Sequence, residues 1–293
     1  MLINRLSPLL FEDSVRGALR EDLGRAGDLT TDAIVSDDTT ASAEIVARLG
    51  GRVAGIDLAL RTFEIVDPEV VGEVLVSDGQ DVEAGAVLLK VGGPARAILT
   101  AERTALNFFG HLCGVATLTR AYVEAVAGTG AKVVCTRKTT PGLRALEKHA
   151  VRCGGGANHR FGLDDAVLIK DNHLAIAGDV RTAIERVRAA VGHMVMIELE
   201  VDTLQQLEEG IEADVDAVLL DNMDVETLTA AIEMVGGRCT TEASGGINLE
   251  TASAIAATGV DYLSVGALTH SAPSLDLSLE VTGVQRSTMK VSI

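Results

Sequence analysis

From residue 131 onward, short apolar runs alternate strictly with amphipathic helical stretches. Continuous apolar strands that alternate with helices are typical of a parallel sheet with helices packed on it. Six such units between residues 131 and 271 predict an α/β fold, an open α/β barrel of six or seven parallel strands. An open doubly wound sheet is the alternative, and it is weakened because no G-x-G-x-x-G motif follows a strand. The runs are KVVCT (132–136), AVLIK (166–170), MVMIELEV (194–201), DAVLLD (216–221), CTTEAS (239–244) and DYLSVG (261–266).

The first part of the chain mixes the two kinds of element. Residues 55–66 have a helical pattern, whereas 71–77 and 86–91 resemble strands, which predicts a small α+β domain. Residues 94–128 read as one long helical region that joins the two domains. We expect Gly110 and Gly114 to mark a bend in it.

Charge excludes several classes of function. The chain of 293 residues has 25 Lys and Arg against 42 Asp and Glu, a formal charge of -17. Binding to nucleic acid or to anionic membranes depends on basic surface, so neither is expected here. The N-terminal residues show no signal-peptide pattern, and no run reaches membrane-spanning length. These observations predict a cytoplasmic protein with no nucleic-acid or membrane partner.

Polar residues follow the predicted strands, where barrel enzymes place their chemistry. Between residues 137 and 170 there are seven cations and three acids, a local reversal of the overall charge. We therefore predict an anion pocket, because Arg binds carboxylates and phosphates through two hydrogen bonds and Lys as a point charge. The strand-end residues are Arg137, Lys138, Lys170, Glu200, Asp221, Ser244, Gly245, Gly246 and Gly266.

Two further patterns complete this expected site. Glu200 and Asp221 end neighbouring strands, so they could hold Mg²⁺ against substrate phosphates or pair with nearby lysines. Glycines after the last two strands let backbone N–H groups approach phosphate oxygens. The loop Gly154–Gly156, followed by His159 and Arg160, has the character of a lid or ligand-contacting segment.

The stretch CTRKTTPGLRALEKHAVRCGGGANHRFGLDDAVLIKDNH (135–173) closely resembles the signature of quinolinate phosphoribosyltransferases, the carboxylating nicotinate-nucleotide pyrophosphorylases. The resemblance continues through AERTALNFFGHLCGVAT (101–117), IELEVDT (197–203), LLDNM (219–223) and EASGGI (242–247). It implies an N-terminal sandwich domain, 1–113 with 272–293 returning to it, and a barrel domain over 114–271. It also implies a homodimer, or a higher oligomer, with shared active sites.

The resemblance further implies a role for each matching residue. Arg103 would act in the neighbouring subunit's site. Arg137, His159 and Arg160 would bind the two carboxylates of quinolinate. The catalytic set would be Lys138, Lys170, Glu200 and Asp221, the last two also as ligands of a Mg²⁺ cofactor. Further substrate contacts would come from Thr136, Ser244, Gly245, Gly246, Val265, Gly266 and Ala267.

The implied reaction converts quinolinate and phosphoribosyl pyrophosphate to nicotinate mononucleotide, pyrophosphate and CO₂ in NAD biosynthesis. Three alternatives remain open at this point. One is a paralogous pyrophosphorylase associated with molybdenum transport, and another is a Schiff-base aldolase that uses Lys170. The third is an anion-binding protein without catalytic activity.

Overall fold

The computed structural model describes residues 5–286, which group by contact into two compact units. The first unit comprises residues up to 118, 140–155 and those from 271, and the second comprises 119–139 and 156–270. The predicted boundaries at 113/114 and 271/272 stay a prediction. The grouping by contact differs from them at 140–155, whose helix pairs with first-unit residues through His111–Glu147 and Asp78–His149.

The first unit is built on a four-stranded antiparallel sheet. Its strands lie in the order β12 (Leu277–Arg286), β1 (Thr39–Ala47), β5 (Val87–Pro94) and β3 (Val71–Val74). Strand β1 alternates buried and accessible residues, with Ala41, Ala43, Ile45 and Ala47 facing the core. Two further short strands, β2 (Gly51–Arg52) and β4 (Asp81–Val82), pair with each other. The helices are α1 (Glu12–Leu23), α2 (Leu29–Ile34), α3 (Ile56–Val66), most of α4 (Ala95–Ala125) and α5 (Arg144–Cys153).

The core of this unit is aliphatic with two large aromatic side chains. Phe63 and Phe109 are completely buried in a cluster that the sheet, α3 and α4 share. The C-terminal strand β12 pairs with β1, so residues 277–286 belong to this sheet. The rest of the predicted returning segment, 287–293, lies outside the described residues.

Helix α4 runs without interruption from Ala95 to Ala125, and its glycines have a role other than the predicted bend. The chain at 273–275 passes directly against the helix, and Leu275 donates its N–H to the carbonyl of Gly110. A Cβ atom at Gly114 would lie 2.1 Å from the carbonyl oxygen of Pro273, and one at Gly110 would lie 2.8 Å from that of Leu275. Both glycines are therefore required for close backbone approach.

The second unit confirms the predicted α/β architecture. All six strands are parallel, in the order β6-β11-β10-β9-β8-β7, and β6 and β7 form the two edges of this open sheet. Each strand falls within a predicted apolar run. The strands are β6 (Lys132–Val134), β7 (Val167–Ile169), β8 (Ile197–Val201), β9 (Ala217–Asp221), β10 (Thr240–Ser244) and β11 (Tyr262–Ser264).

Helices follow these strands as the sequence predicted, and two short ones were not foreseen. Helix α6 (Asp171–Ala177) begins directly after Lys170, and α11 (Ala267–His270) follows β11. The predicted helices are α7 (Val180–Ala190), α8 (Leu204–Glu212), α9 (Val225–Val235) and α10 (Ala252–Ala256). Among residues 5–286, no helix is long and apolar enough to cross a membrane.

Candidate active site

The parallel register brings the strand-end residues to one face of the second unit. Glu200 lies opposite Leu219, and Asp221 lies opposite Ser244. Because alternate residues of a strand share a face, Glu198 and Glu200 face the same way as Leu219 and Asp221. A cavity of about 560 Å³ opens there. Its lining residues are Thr136, Arg137, Lys138, His159, Arg160, Leu168, Lys170, Glu200, Leu219, Asp221, Asn222, Ser244, Gly245, Gly246 and Ser264.

The cavity is cationic, as the charge reversal predicted. Four of its lining residues are Lys or Arg, and two are acids. The Nε atoms of Arg137 and Arg160 are buried and have no hydrogen-bond partner among residues 5–286. Burial and the proximity of Arg137 lower the pKa of the Arg160 guanidinium from its ordinary value. Buried donors of this kind are costly unless an anion occupies the cavity.

One ion pair bridges the cationic and acidic parts of the cavity. The Nζ of Lys170 lies 2.5 Å from Oε2 of Glu200, and the Glu200 side chain is mostly buried. Lys170 follows β7 and Glu200 is on the neighbouring strand β8, so the order of strands in the sheet places the two residues side by side. The pair holds both side chains in fixed positions within the cavity.

Asp221 and Asn222 form a tight turn at the end of β9. Asn222 has φ 53°, an uncommon left-handed conformation, and its side-chain amide donates to Oδ2 of Asp221 at 2.6 Å. Its backbone N–H donates to the carbonyl of Ser244. Gly245 fits against it with φ +92°, where a Cβ would lie 2.1 Å from Oδ1 of Asn222. Glycine is therefore required at 245 both by backbone conformation and by space.

Most, but not all, of the predicted site residues line the main cavity. Val265 is buried and donates its backbone N–H to the carbonyl of Val134, so that donor is already used. Gly266 lies against Lys138, since a Cβ there would meet Cδ of Lys138 at 3.1 Å. Neither of these residues nor Ala267 lines the cavity.

Arg103 is placed elsewhere. It belongs to the first unit, on α4, where it lines a separate cavity of about 430 Å³. The other residues around that cavity are Ala18, Glu21, Asp22, Thr104, Asn107, Phe108, His111 and Leu143. Residues of this second cavity were not singled out from the sequence, apart from Arg103 itself.

Comparison with known proteins decides the family. A model of the quinolinate phosphoribosyl transferase C-terminal domain matches residues 115–280, and the model of the N-terminal domain matches 28–113. The chain belongs to the quinolinate phosphoribosyltransferase family. It is thus an enzyme that transfers phosphoribosyl groups, and neither the molybdenum-associated paralogue nor the aldolase is favoured.

Individual relatives agree with this assignment. The nicotinate-nucleotide pyrophosphorylase [carboxylating] of Mycobacterium leprae is 48% identical over 92% of this chain and 96% of the relative. The probable enzyme of that name from Bacillus subtilis is 45% identical, over 89% and 90%. The crystal structure of NadC from Streptococcus pyogenes superposes with a TM-score of 0.92 at 42% identity, over 97% of this chain and 99% of that one.

Proposed function

We propose that the cationic cavity binds quinolinate together with phosphoribosyl pyrophosphate and joins the pyridine nitrogen to C1 of the ribose. The observation that carries this proposal is the pair of buried Nε atoms of Arg137 and Arg160, which have no hydrogen-bond partner among the described residues. Quinolinate has two adjacent carboxylates, and guanidinium groups bind carboxylates with two parallel hydrogen bonds. Lys138 and Lys170 line the same cavity, and their positive charge would attract the carboxylates of quinolinate and the phosphates of the phosphoribosyl donor.

The acidic side of the cavity suits the other half of the reaction. Departure of pyrophosphate leaves positive charge on the ribose, and the carboxylates of Glu200 and Asp221 stabilise such charge. The glycines at 245 and 246 leave backbone open to phosphate oxygens. Attack by the ring nitrogen makes the pyridine ring cationic, which favours loss of the carboxylate at C2 as CO₂. A proton then replaces it, and nicotinate mononucleotide remains.

The donor set also fits the expected Mg²⁺. Glu200 and Asp221 offer carboxylate oxygens on one face of adjacent strands, and within residues 5–286 the hydrogen bonds from Lys170 and Asn222 use one oxygen of each. Mg²⁺ is commonly held by one or two carboxylates, with water and substrate phosphates as its other ligands. When bound, the ion would neutralise the developing charge of the pyrophosphate. These two residues would hold it.

Two wider expectations belong to the same proposal. We place the enzyme in the cytoplasm, in pyridine nucleotide biosynthesis, and we propose a homodimer in which Arg103 completes the partner's site. Arg103 is exposed on α4 and lines a cavity of the first unit, so a second copy of the chain could receive its side chain, which supports this proposal.

Replacement of Arg137 by Lys tests the carboxylate-binding role. The substitution keeps the charge but removes the fork of donors, so the KM for quinolinate should rise about 10–100-fold. The KM for phosphoribosyl pyrophosphate should stay close to that of the wild type. Arg181→Lys, on the exposed surface of α7, is the matched control. Equal changes in both KM values for Arg137→Lys would contradict the proposed role.

A further inference from the structure

A cluster of one histidine and two buried glutamates lies at the main cavity, which His159 itself lines. The Nε2 of His159 is 2.8 Å from Oε2 of Glu198 and 3.6 Å from Oε1 of Glu242. Glu198 is 8% exposed and Glu242 is 5% exposed. Each precedes a cavity-lining residue, Glu200 or Ser244, by two positions on its strand, so it shares that residue's face. Two buried acids around one ring require a structural or functional reason.

The hydrogen bonds determine where the imidazole carries its proton. The backbone N–H of Arg160 donates to Nδ1 of His159 at 2.8 Å, so Nδ1 must keep its lone pair. The ring is therefore neutral with its proton on Nε2, which donates to Glu198. Both ring nitrogens have protein partners, so His159 is suited to orient its neighbour Arg160.

Glu242 carries less negative charge in this cluster than an exposed glutamate would. Burial, and then the nearby Glu198, raise its pKa to about 7, while a hydrogen bond with Ser264 acts in the opposite direction. Its Oε1 has no hydrogen-bond partner among the described residues. A protonated Glu242 leaves Glu198 as the charged acceptor for the His159 ring.

Arg160 is the residue at the end of this chain of contacts. Its backbone N–H is fixed by His159, and its Nη1 donates to the carbonyl of Ala166 at 3.0 Å. The intervening Nε is buried and has no partner within residues 5–286. The backbone and the guanidinium of Arg160 are thus each fixed by a hydrogen bond, and the Nε donor remains for a ligand.

We propose that Glu198, supported by Glu242, is a positioning residue that fixes Arg160 through His159 for recognition of a substrate carboxylate. This inference rests on the proposed binding of quinolinate in the cavity. Glu198 orients the ring, the ring orients the backbone of Arg160, and the guanidinium meets the substrate already in place. Such preorganisation lowers the cost of binding without a direct contact between Glu198 and substrate.

Steady-state kinetics of Glu198→Gln, with each substrate varied separately, tests this role. Loss of a charge-assisted hydrogen bond should raise the KM for quinolinate about tenfold. The KM for phosphoribosyl pyrophosphate should not change, because its groups do not bind Arg160. Glu242→Gln should give a smaller rise, since an amide resembles the protonated carboxyl.

The matched control is Asp78→Asn. Asp78 forms another buried pair with a histidine, 2.7 Å between its Oδ2 and Nε2 of His149, and it lines a different cavity. An equal rise of quinolinate KM in this variant, or an equal change of both KM values in Glu198→Gln, would overturn the positioning role. An active wild type with an unaffected Glu198→Gln variant would also overturn it, whereas an inactive wild type would instead refute the proposed function.

A spectroscopic measurement covers the case in which Glu198→Gln does not fold. The wild-type protein labelled with ¹⁵N in its histidine rings should show His159 as a neutral ring protonated at Nε2, assigned by loss of that signal in His159→Gln. A charged ring at neutral pH, or a ring protonated only at Nδ1, would contradict the hydrogen-bond chain.

Discussion

Glu242 illustrates how the surroundings of one side chain reverse its ordinary behaviour. A glutamate on the surface is charged at neutral pH, but this one is buried beside Glu198, and its pKa rises to about 7. The same side of the sheet contains Arg137 and Arg160, whose buried Nε atoms lack partners in the described chain. At the residue scale the site therefore combines an acid whose pKa is raised with buried guanidinium donors that can bind an anion.

The raised pKa of Glu242 predicts how Glu242→Gln changes stability with pH. The folded state holds the proton more tightly than the unfolded chain, so wild-type stability falls as pH rises from about 4.5 through 7. Glutamine is neutral throughout. We expect the variant to gain stability relative to wild type between pH 5 and pH 8, as measured by urea denaturation at both pH values.

The free energies of unfolding of Glu242→Gln and wild type could instead differ by the same amount at pH 5 and at pH 8. That result would show that Glu242 ionises as an exposed acid does. Asp57→Asn provides the control. Asp57 is a half-exposed acid of the first unit and is paired with Arg5, whereas Glu198 and Glu242 belong to the second unit. We expect no gain on going to pH 8 in that variant.

Single residues also show the limit of reading strand ends from sequence. Lys170 and Asp221 end their runs and Glu200 is the next-to-last residue of its run, so the rule for barrels finds them. Glu198 lies inside the run MVMIELEV, where only the alternation of faces distinguishes it from an outward residue. The ELE spacing was a usable signal, because residues 198 and 200 must share a face. Asn222 carries no comparable signal, since its role depends on a left-handed turn.

Elements of the second unit follow from the sequence more directly than those of the first. Most of its strands are short apolar runs bounded by polar residues, and parallel order makes such runs easy to recognise, although β10 has the mostly polar sequence TTEAS. The role of the glycines in α4 cannot be predicted from the residues next to them in the sequence. Gly110 and Gly114 resemble helix-weakening residues in the sequence, yet they serve a contact with residues 273–275, more than 150 positions along the chain. Such a long-range contact cannot be seen in a local pattern.

Gly114→Ala should therefore destabilise the protein, although alanine favours helices. Its Cβ would overlap the carbonyl oxygen of Pro273, and relief requires movement of backbone, with an expected cost of about 1–3 kcal/mol. Gly17→Ala in α1 is the matched control, because no atom lies within 4 Å of its new Cβ. That variant should gain about 0.5–1 kcal/mol. Thermal or urea unfolding of both variants measures these values, and equal signs would contradict the packing role.

At the scale of the whole molecule, the negative charge and the cationic site are complementary features. The chain has a formal charge of -17, while the lining of the main cavity has four cations and two acids. Anionic substrates thus meet a cationic cavity within an acidic chain. The charge reversal between residues 137 and 170 was visible in the sequence. The position of Arg103 in a separate cavity was not, because no local pattern shows which elements surround a helical residue in the folded chain.

Mixing two inactive variants tests the proposed shared site. Arg103→Ala and Lys138→Ala would each disable both sites of their own dimers. A hybrid dimer would have one intact site, so an equal mixture should recover about one quarter of wild-type activity. Subunit exchange is confirmed with differently tagged chains. No recovery after demonstrated exchange would exclude a site that Arg103 completes from the partner.

The most direct test of the central claim is turnover with phosphoribosyl pyrophosphate, Mg²⁺ and either quinolinate or nicotinate. Nicotinate lacks the carboxylate at C2, so it would leave buried guanidinium groups unpaired. Quinolinate should give nicotinate mononucleotide and an equal amount of CO₂, with preference over nicotinate of about 10⁴-fold in kcat/KM. No nucleotide from quinolinate, or comparable turnover of both acids, would contradict the assignment of this cavity to quinolinate.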